Sequence, residues 1–266
     1  MAYPKYVVST ANYFGFHIQE MRTLPKNFGI EAQVENGNDY LWEQALKELL
    51  PGREGDFTIH GPFLFMNLAS PDCDFAKVVE NYKWTYDLSN RYGAKHVVLH
   101  PYSNCARIKE TKESLQRRAM DRVNTLVEMA EKAGANLLLE NLMYDYELFD
   151  QQEFMDIPRQ IPQAKFLIDI GHSLLKQWDV PRLLKDLGSR IDAYHIDDNM
   201  GPGTSDSHML IGKGVLDADE FFKAYSCYTP GRRIVLEYIN VTANEVIGNA
   251  NVVEKLIQKY SRNEGK

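Results

Sequence analysis

Eight short apolar, β-branched runs recur along the chain, and their spacing limits the fold more than any other feature. They are YVVS (6–9), IEAQVE (30–35), FTIH (57–60), HVVLH (96–100), NLLLE (136–140), KFLID (165–169), IDAYHID (191–197) and RIVLE (233–237). Several show no polar alternation, as expected of parallel strands covered on both faces. Amphipathic segments lie between them. Phe75–Tyr92 and Glu113–Ala133 carry apolar residues close to a 3.6-residue period, which predicts helices. Shorter helical segments are expected over 42–50, 152–160, 180–187, 218–226 and 243–260. In RYGAKHVVLHP and KAGANLLLEN a basic residue and a glycine precede the strand, a helix stop followed by a strand start. FGIEAQVEN repeats the glycine-to-strand step. Serial units of this kind, without a Gly/Ser-rich or Pro-rich linker, predict an α/β chain folded as one (β/α)8 barrel domain over 1–266. An open doubly wound sheet would bring a phosphate-binding glycine fingerprint after its first strand, and VVSTANYFGFH has none.

A length of 266 residues suits one barrel, and 44% apolar residues supply its core. Cys73, Cys105 and Cys227 are widely spaced and odd in number, which fits a reducing compartment better than a disulfide framework. No apolar stretch approaches the ~20 residues of a membrane helix, and the opening MAYPKYVVST lacks a signal-peptide pattern, so a cytoplasmic location is expected. The formal charge of −7 offers nucleic acid no general attraction.

The strand ends carry the chemistry. His60, His100, Glu140, Asp169, His195 and Glu237 stand at or near the ends of the third to eighth runs. His172 follows Asp169 by three positions, and Asp206 and His208 lie in the loop after His195, whereas His96 opens a strand. In a barrel those ends meet at one mouth, where active sites are built. Singly, a strand-end histidine or acid is more often a satisfied polar group or a helix cap. Asp169 has that reading at a helix beginning near His172, and Asp197 and Asp198 read as the start of a loop. Six successive strands ending this way are harder to explain by accident. Gathered carboxylates also repel one another unless a counter-charge separates them. Imidazole and carboxylate together suit zinc or manganese.

Other features point less clearly to function. GKG (212–214) lacks a P-loop frame and reads as a turn that places the preceding histidine. Arg107, Lys109, Lys112, Arg117 and Arg118 read as a solvated helix face. Among the aromatics after strand ends, Tyr102 and Trp178 are expected to wall a substrate pocket, together with Tyr144, Tyr146 and Tyr238.

Taken in order, HGPFLFMNLASP, VVLHP, LLLEN, IDIGH, YHIDDN, SDSHMLIGKG and IVLEY resemble the xylose isomerase-like TIM barrels. These include sugar and sugar-phosphate isomerases and epimerases, and the endonuclease IV type of abasic-site nuclease. The resemblance implies one divalent metal on Glu140, Asp169, His195 and Glu237, with the two glutamates handling the substrate proton and His172 bonding a substrate oxygen. The nuclease pattern implies a second ion on His60, His100 and Glu140 and a third on His172, Asp206 and His208. YVVSTANYFGFH and NLMYDYELF depart from the nuclease pattern, and Gly201 stands where many epimerases carry an arginine. The expectation is therefore a metal-dependent isomerase or epimerase of a small sugar or sugar phosphate. It would use one to three zinc or manganese ions, and its assembly state, monomer or homo-oligomer, is left open. Zinc phosphodiester hydrolysis of the endonuclease IV type is the alternative, with nucleic acid the less favoured partner.

Overall fold

The computed structural model describes residues 6–12, 15–35 and 39–261. Eight parallel strands close in sequence order into a barrel: β1 Tyr6–Ser9, β2 Gly29–Gln33, β3 Phe57–His60, β4 Val97–Leu99, β5 Leu137–Glu140, β6 Lys165–Asp169, β7 Ile191–Ile196 and β8 Arg233–Leu236. Closure pairs β1 with β8, Val7 opposite Val235. The helices are α1 Asp39–Leu49, α2 Phe75–Tyr92, α3 Lys112–Ala133, α4 Gln151–Met155, α5 Ile157–Gln160, α6 Ile170–Leu175, α7 Val180–Leu187, α8 Ala218–Tyr228 and α9 Ala243–Ser261. The expected (β/α)8 barrel is therefore the fold observed.

Two helix–strand junctions form as their glycines predict. Gly93 and Gly134 end α2 and α3 in the left-handed conformation, at φ 69° and 72°, which costs glycine nothing sterically. Gly29 acts differently. It opens β2 where the neighbouring backbone crowds in, and a Cβ there would overlap the carbonyl oxygen of Asp56.

Two segments differ from the helices expected, and a third, between β1 and β2, forms helical turns where no helix was expected. Between β1 and β2 the described chain forms 3-10 turns, Thr10–Asn12 and Gly15–Thr23. Ile18, Met21 and Leu24 are buried there at a three-residue interval, the period of a 3-10 helix. The segment expected as one helix over 152–160 divides into α4 and α5. Pro158 lacks the N–H that would bond the carbonyl of Phe154, so one continuous helix cannot form. Helix α6 starts directly from the end of β6, with the Asp169 carboxylate as its N-cap.

The main core lies between strands and helices, where Tyr82, Tyr86, Phe166, Tyr194 and Phe222 are fully enclosed. Inside the barrel a second apolar cluster, Val98, Leu138, Leu167 and Ala193, fills the side formed by β4 to β7. The opposite side of the lumen is polar, lined by Glu31 and Thr58 from β2 and β3.

Candidate metal centre

Parallel closure sends every strand's C-terminal end to the same mouth. His60 ends β3, His100 follows β4, Glu140 ends β5, Asp169 ends β6, His195 lies on β7 and Glu237 follows β8. Their donor atoms, with those of His172 on α6 and of Asp206 and His208 in the following loop, form three groups. These are Glu140, Asp169, His195 and Glu237; His60, His100 and Glu140; and His172, Asp206 and His208. Within each group the ligand atoms lie within 4.8 Å of one another, and Glu140 belongs to two groups. Glu140, Asp169, His195 and Glu237 are all buried.

Neighbouring backbone and acids settle which ring nitrogen faces inward. The Nδ1 of His60 donates to the Gly61 carbonyl at 3.0 Å, leaving Nε2 3.5 Å from Glu140 Oε2. Likewise Nδ1 of His172 donates to the Asn141 carbonyl at 2.8 Å, and its Nε2 faces Asp206 Oδ2 at 3.1 Å. Asp206 Oδ2 also lies 3.0 Å from Nε2 of His208. His100 turns Nε2 to Glu140 Oε2 at 3.0 Å. His195 presents Nδ1 instead, 2.9 Å from Glu237 Oε2 and 3.2 Å from Glu140 Oε1. Asp169 serves two ends: Oδ1 accepts from the His172 N–H as the helix cap, while Oδ2 points toward His195 Nδ1 at 3.8 Å. The cap reading and the ligand reading of Asp169 are thus compatible.

The loop carrying Asp206 and His208 is pinned by Asp198. Its buried carboxylate accepts from the N–H groups of Asn199, Gly212, Gly214 and Leu216, at 2.8 to 3.0 Å. Backbone bonds between Asp198 and Met209 then return the chain to the end of β7. His208 is held at φ 41°, a conformation that costs a non-glycine residue about 1 kcal/mol or more and persists only where the surroundings over-determine it.

Electrostatically the groups fit cations. Among the described residues, Glu140 Oε2, Asp169 Oδ2, Asp206 Oδ1 and both nitrogens of His100 are buried without an aligned hydrogen-bond partner. An orphan of this kind costs about 1–3 kcal/mol, so a cluster of lone pairs at one mouth is chemically suited to a bound cation. With protein groups alone, acids and imidazoles share the available protons. Burial lowers His172, but Asp169 and Asp206 outweigh it and hold the imidazole up at about 10. His208 is opposed by burial and still reaches about 12 against Asp197 and Asp206; His60 reaches about 9 beside Glu140. Burial raises Glu140, yet His195 and His100 hold its carboxyl well below the usual range. Asp169 is pushed well upward by burial, with Asp197 and Glu140 adding to it. Divalent cations can take the place of those protons, and mixed nitrogen and oxygen donors suit zinc or manganese.

The mouth is a cavity of about 250 Å³ with Gln33, Phe63, Met143, Tyr144 and Ile239 around the donors. A larger hollow of about 480 Å³ lies alongside, lined by Glu35, Leu64, Phe65 and Lys77, and contains none of the nine donors. Tyr102 and Trp178, expected to wall the substrate, do not line the mouth. Tyr102 is buried edge-on between Tyr144 and Phe149. Trp178 packs on Phe154 and donates from Nε1 to Glu147. Their hydrophobic bulk goes to the main core instead: Tyr102 is part of it, and Trp178, partly buried, packs against it. Phe63 and Tyr144 take the position at the mouth, with Phe63 against the rings of both His60 and His100. Sequence reasoning also missed Glu31, whose Oε1 lies 2.8 Å from His195 Nε2. Its only sequence signal is an acid flanked by Ile30 and Ala32 in a strand buried along its whole length.

A family model described as xylose isomerase-like TIM barrel matches residues 12–258. An uncharacterized protein of Methanocaldococcus jannaschii is 28% identical over 190 residues, 71% of this chain and 73% of that one. Among solved structures, a D-tagatose 3-epimerase-like protein superposes with a TM-score of 0.82 at 20% identity, covering 97% and 98% of the two chains. The IolI protein with a bound zinc atom superposes with a TM-score of 0.75 at 18% identity, covering 96% and 99%. D-psicose 3-epimerase from Clostridium cellulolyticum H10, solved with D-tagatose, gives 0.67 at 18% identity, covering 97% and 98%. The structural likenesses speak to the fold, and the family match extends over nearly the whole sequence. This chain belongs to the xylose isomerase-like TIM barrel family.

Proposed function

We propose that this protein is a divalent-metal-dependent isomerase or epimerase of a small sugar or sugar phosphate. The observation that carries the reading is the pair of buried carboxylates Glu140 and Glu237. They reach His195 Nδ1 from β5 and from beyond β8, within one four-donor group at the floor of the mouth. Glu140, Asp169, His195 and Glu237 would hold the ion. When bound, a divalent cation polarises neighbouring carbonyl and hydroxyl oxygens and acidifies the C–H between them. Glu140 and Glu237 then stand on two sides of a substrate carbon, one to remove a proton and the other to return it. Ser9 orients Glu237, its hydroxyl donating to Oε1 at 3.0 Å. His172, whose Nε2 faces Asp206 on the cavity wall, would turn that nitrogen to a substrate oxygen. Phe63, Met143, Tyr144 and Ile239 supply the apolar wall against which a substrate would pack. A cavity of about 250 Å³ lies below the range typical of drug-sized ligands, which favours a monosaccharide-sized substrate.

Solvent deuterium incorporation into a panel of ketoses and their phosphates, with zinc or manganese added, tests this reading. Exchange at the carbon beside the carbonyl is expected, and no exchange across the panel overturns it.

Two observations favour a second reading, phosphodiester hydrolysis of the endonuclease IV type. Five donors beyond the four-donor group, His60, His100, His172, Asp206 and His208, complete two further groups that a one-metal epimerase does not need. Leu64 and Phe65, exposed beside Phe63, are also side chains of the kind that wedge between bases. About three zinc ions per chain with cleavage of an abasic-site oligonucleotide, and no ketose exchange, would select it.

A further inference from the structure

The His195 side of the metal centre rests on a polar column inside the barrel. Glu31 of β2 is fully buried and reaches across the lumen to His195 of β7, a residue 164 positions away in sequence. Its second oxygen, Oε2, accepts from the Thr58 hydroxyl at 3.0 Å and lies 3.3 Å from His96 Nε2. His96 is also fully buried, and its Nδ1 lies 3.3 Å from the Arg233 guanidinium. Arg233 Nε in turn donates to Asp56 Oδ2 at 2.9 Å. Asp56 precedes β3 and Arg233 opens β8, so the column runs from the barrel's N-terminal end up to the mouth.

Donor and acceptor bookkeeping gives this column a direction. A guanidinium can only donate, so His96 Nδ1 must accept from Arg233. The His96 proton therefore sits on Nε2 and is donated to Glu31. Thr58 donates to the same oxygen. Glu31 receives at every contact, and its remaining oxygen, Oε1, accepts from His195 Nε2 at 2.8 Å. An imidazole protonated at Nε2 carries its free lone pair on Nδ1, the nitrogen that faces Glu140 and Glu237.

We infer that Glu31 is the positioning residue of the four-donor group: it fixes His195 as the Nε2–H tautomer and so presents Nδ1 to a divalent cation. The His96–Arg233–Asp56 column holds Glu31 in that orientation from the far end of the barrel. The inference rests on the metal reading of the mouth and is independent of the reaction catalysed there. A carboxylate behind a metal-binding imidazole sets both ring orientation and ligand basicity, and losing such a partner costs about 10–100-fold in metal affinity.

The test uses the intact chain with zinc alone as the probe. In zinc-loaded wild-type protein, imidazole ¹⁵N spectra are expected to show His195 protonated at Nε2 with the metal on Nδ1. The opposite pattern overturns the role whatever the variants do. In Glu31→Gln, zinc affinity of the His195 group is expected to fall about 10–100-fold. The His195 tautomer signal should broaden or change, with far-UV circular dichroism unchanged. Among the described residues the hydrogen bonds of Glu31 go to Thr58, His96 and His195, so the ¹⁵N signals of His100, His172 and His208 should shift less than that of His195. If wild-type protein binds zinc and the variant binds it within twofold with the same tautomer, the role of Glu31 fails alone. If wild-type protein binds no zinc, the metal centre fails with it.

Discussion

Glu140 is the residue on which the most depends, because its two oxygens face different partners: Oε1 toward His195 and Oε2 toward His60 and His100. Glu140→Gln preserves the shape and removes the charge both groups share. Ketose exchange is expected to drop by about 10²–10⁴-fold with the fold retained, checked by deuterium incorporation and circular dichroism. The imidazoles set the pH behaviour. With protein groups alone, His172 is held at about 10 and His208 at about 12, so both carry protons at neutral pH. A ligating imidazole must give up that proton, so metal loading at pH 7 should release protons and affinity should rise with pH. Titration calorimetry in two buffers of different ionisation enthalpy would read the release; a buffer-independent heat would contradict it.

At the scale of elements, the loop after β7 decides whether Asp206 and His208 belong to the centre at all. Asp198 satisfies four backbone N–H groups of this loop. Removing its carboxylate leaves four backbone donors unpaired, that of Asn199 buried and the rest partly so, so Asp198→Ala should destabilise the protein by on the order of 3 kcal/mol, measurable by denaturant titration. It should also weaken zinc binding at the His172, Asp206 and His208 group more than at the others. Elements with a strong apolar period and a capping glycine were legible in the sequence: α2 begins and ends where its pattern indicates, at Phe75 and Tyr92. The 3-10 segment Gly15–Thr23 was not, because three apolar residues at a three-residue interval suggest a helix face without naming the helix type.

For the whole molecule, closure of the barrel is what turns scattered strand ends into one centre, so ion binding should stabilise the entire fold. Zinc at a hundred times its dissociation constant adds about 2.7 kcal/mol. For a chain of this size that corresponds to roughly 5–10 °C in Tm, and chelation should remove it in a calorimetric scan. No described helix is long and apolar enough to cross a membrane.

Strand number, barrel class and the donors at the strand ends follow from local pattern, since burial on both faces demands apolar runs and a parallel barrel gathers every C-terminal strand end at one mouth. Pairings across the lumen have no local trace. That Glu31 meets His195, that His195 turns Nδ1 inward while His60 and His172 turn Nε2, and that Tyr102 and Trp178 serve the outer core were decided only on closure. Periodicity assigns a side chain to a face, whereas its partner there depends on strands far away in sequence.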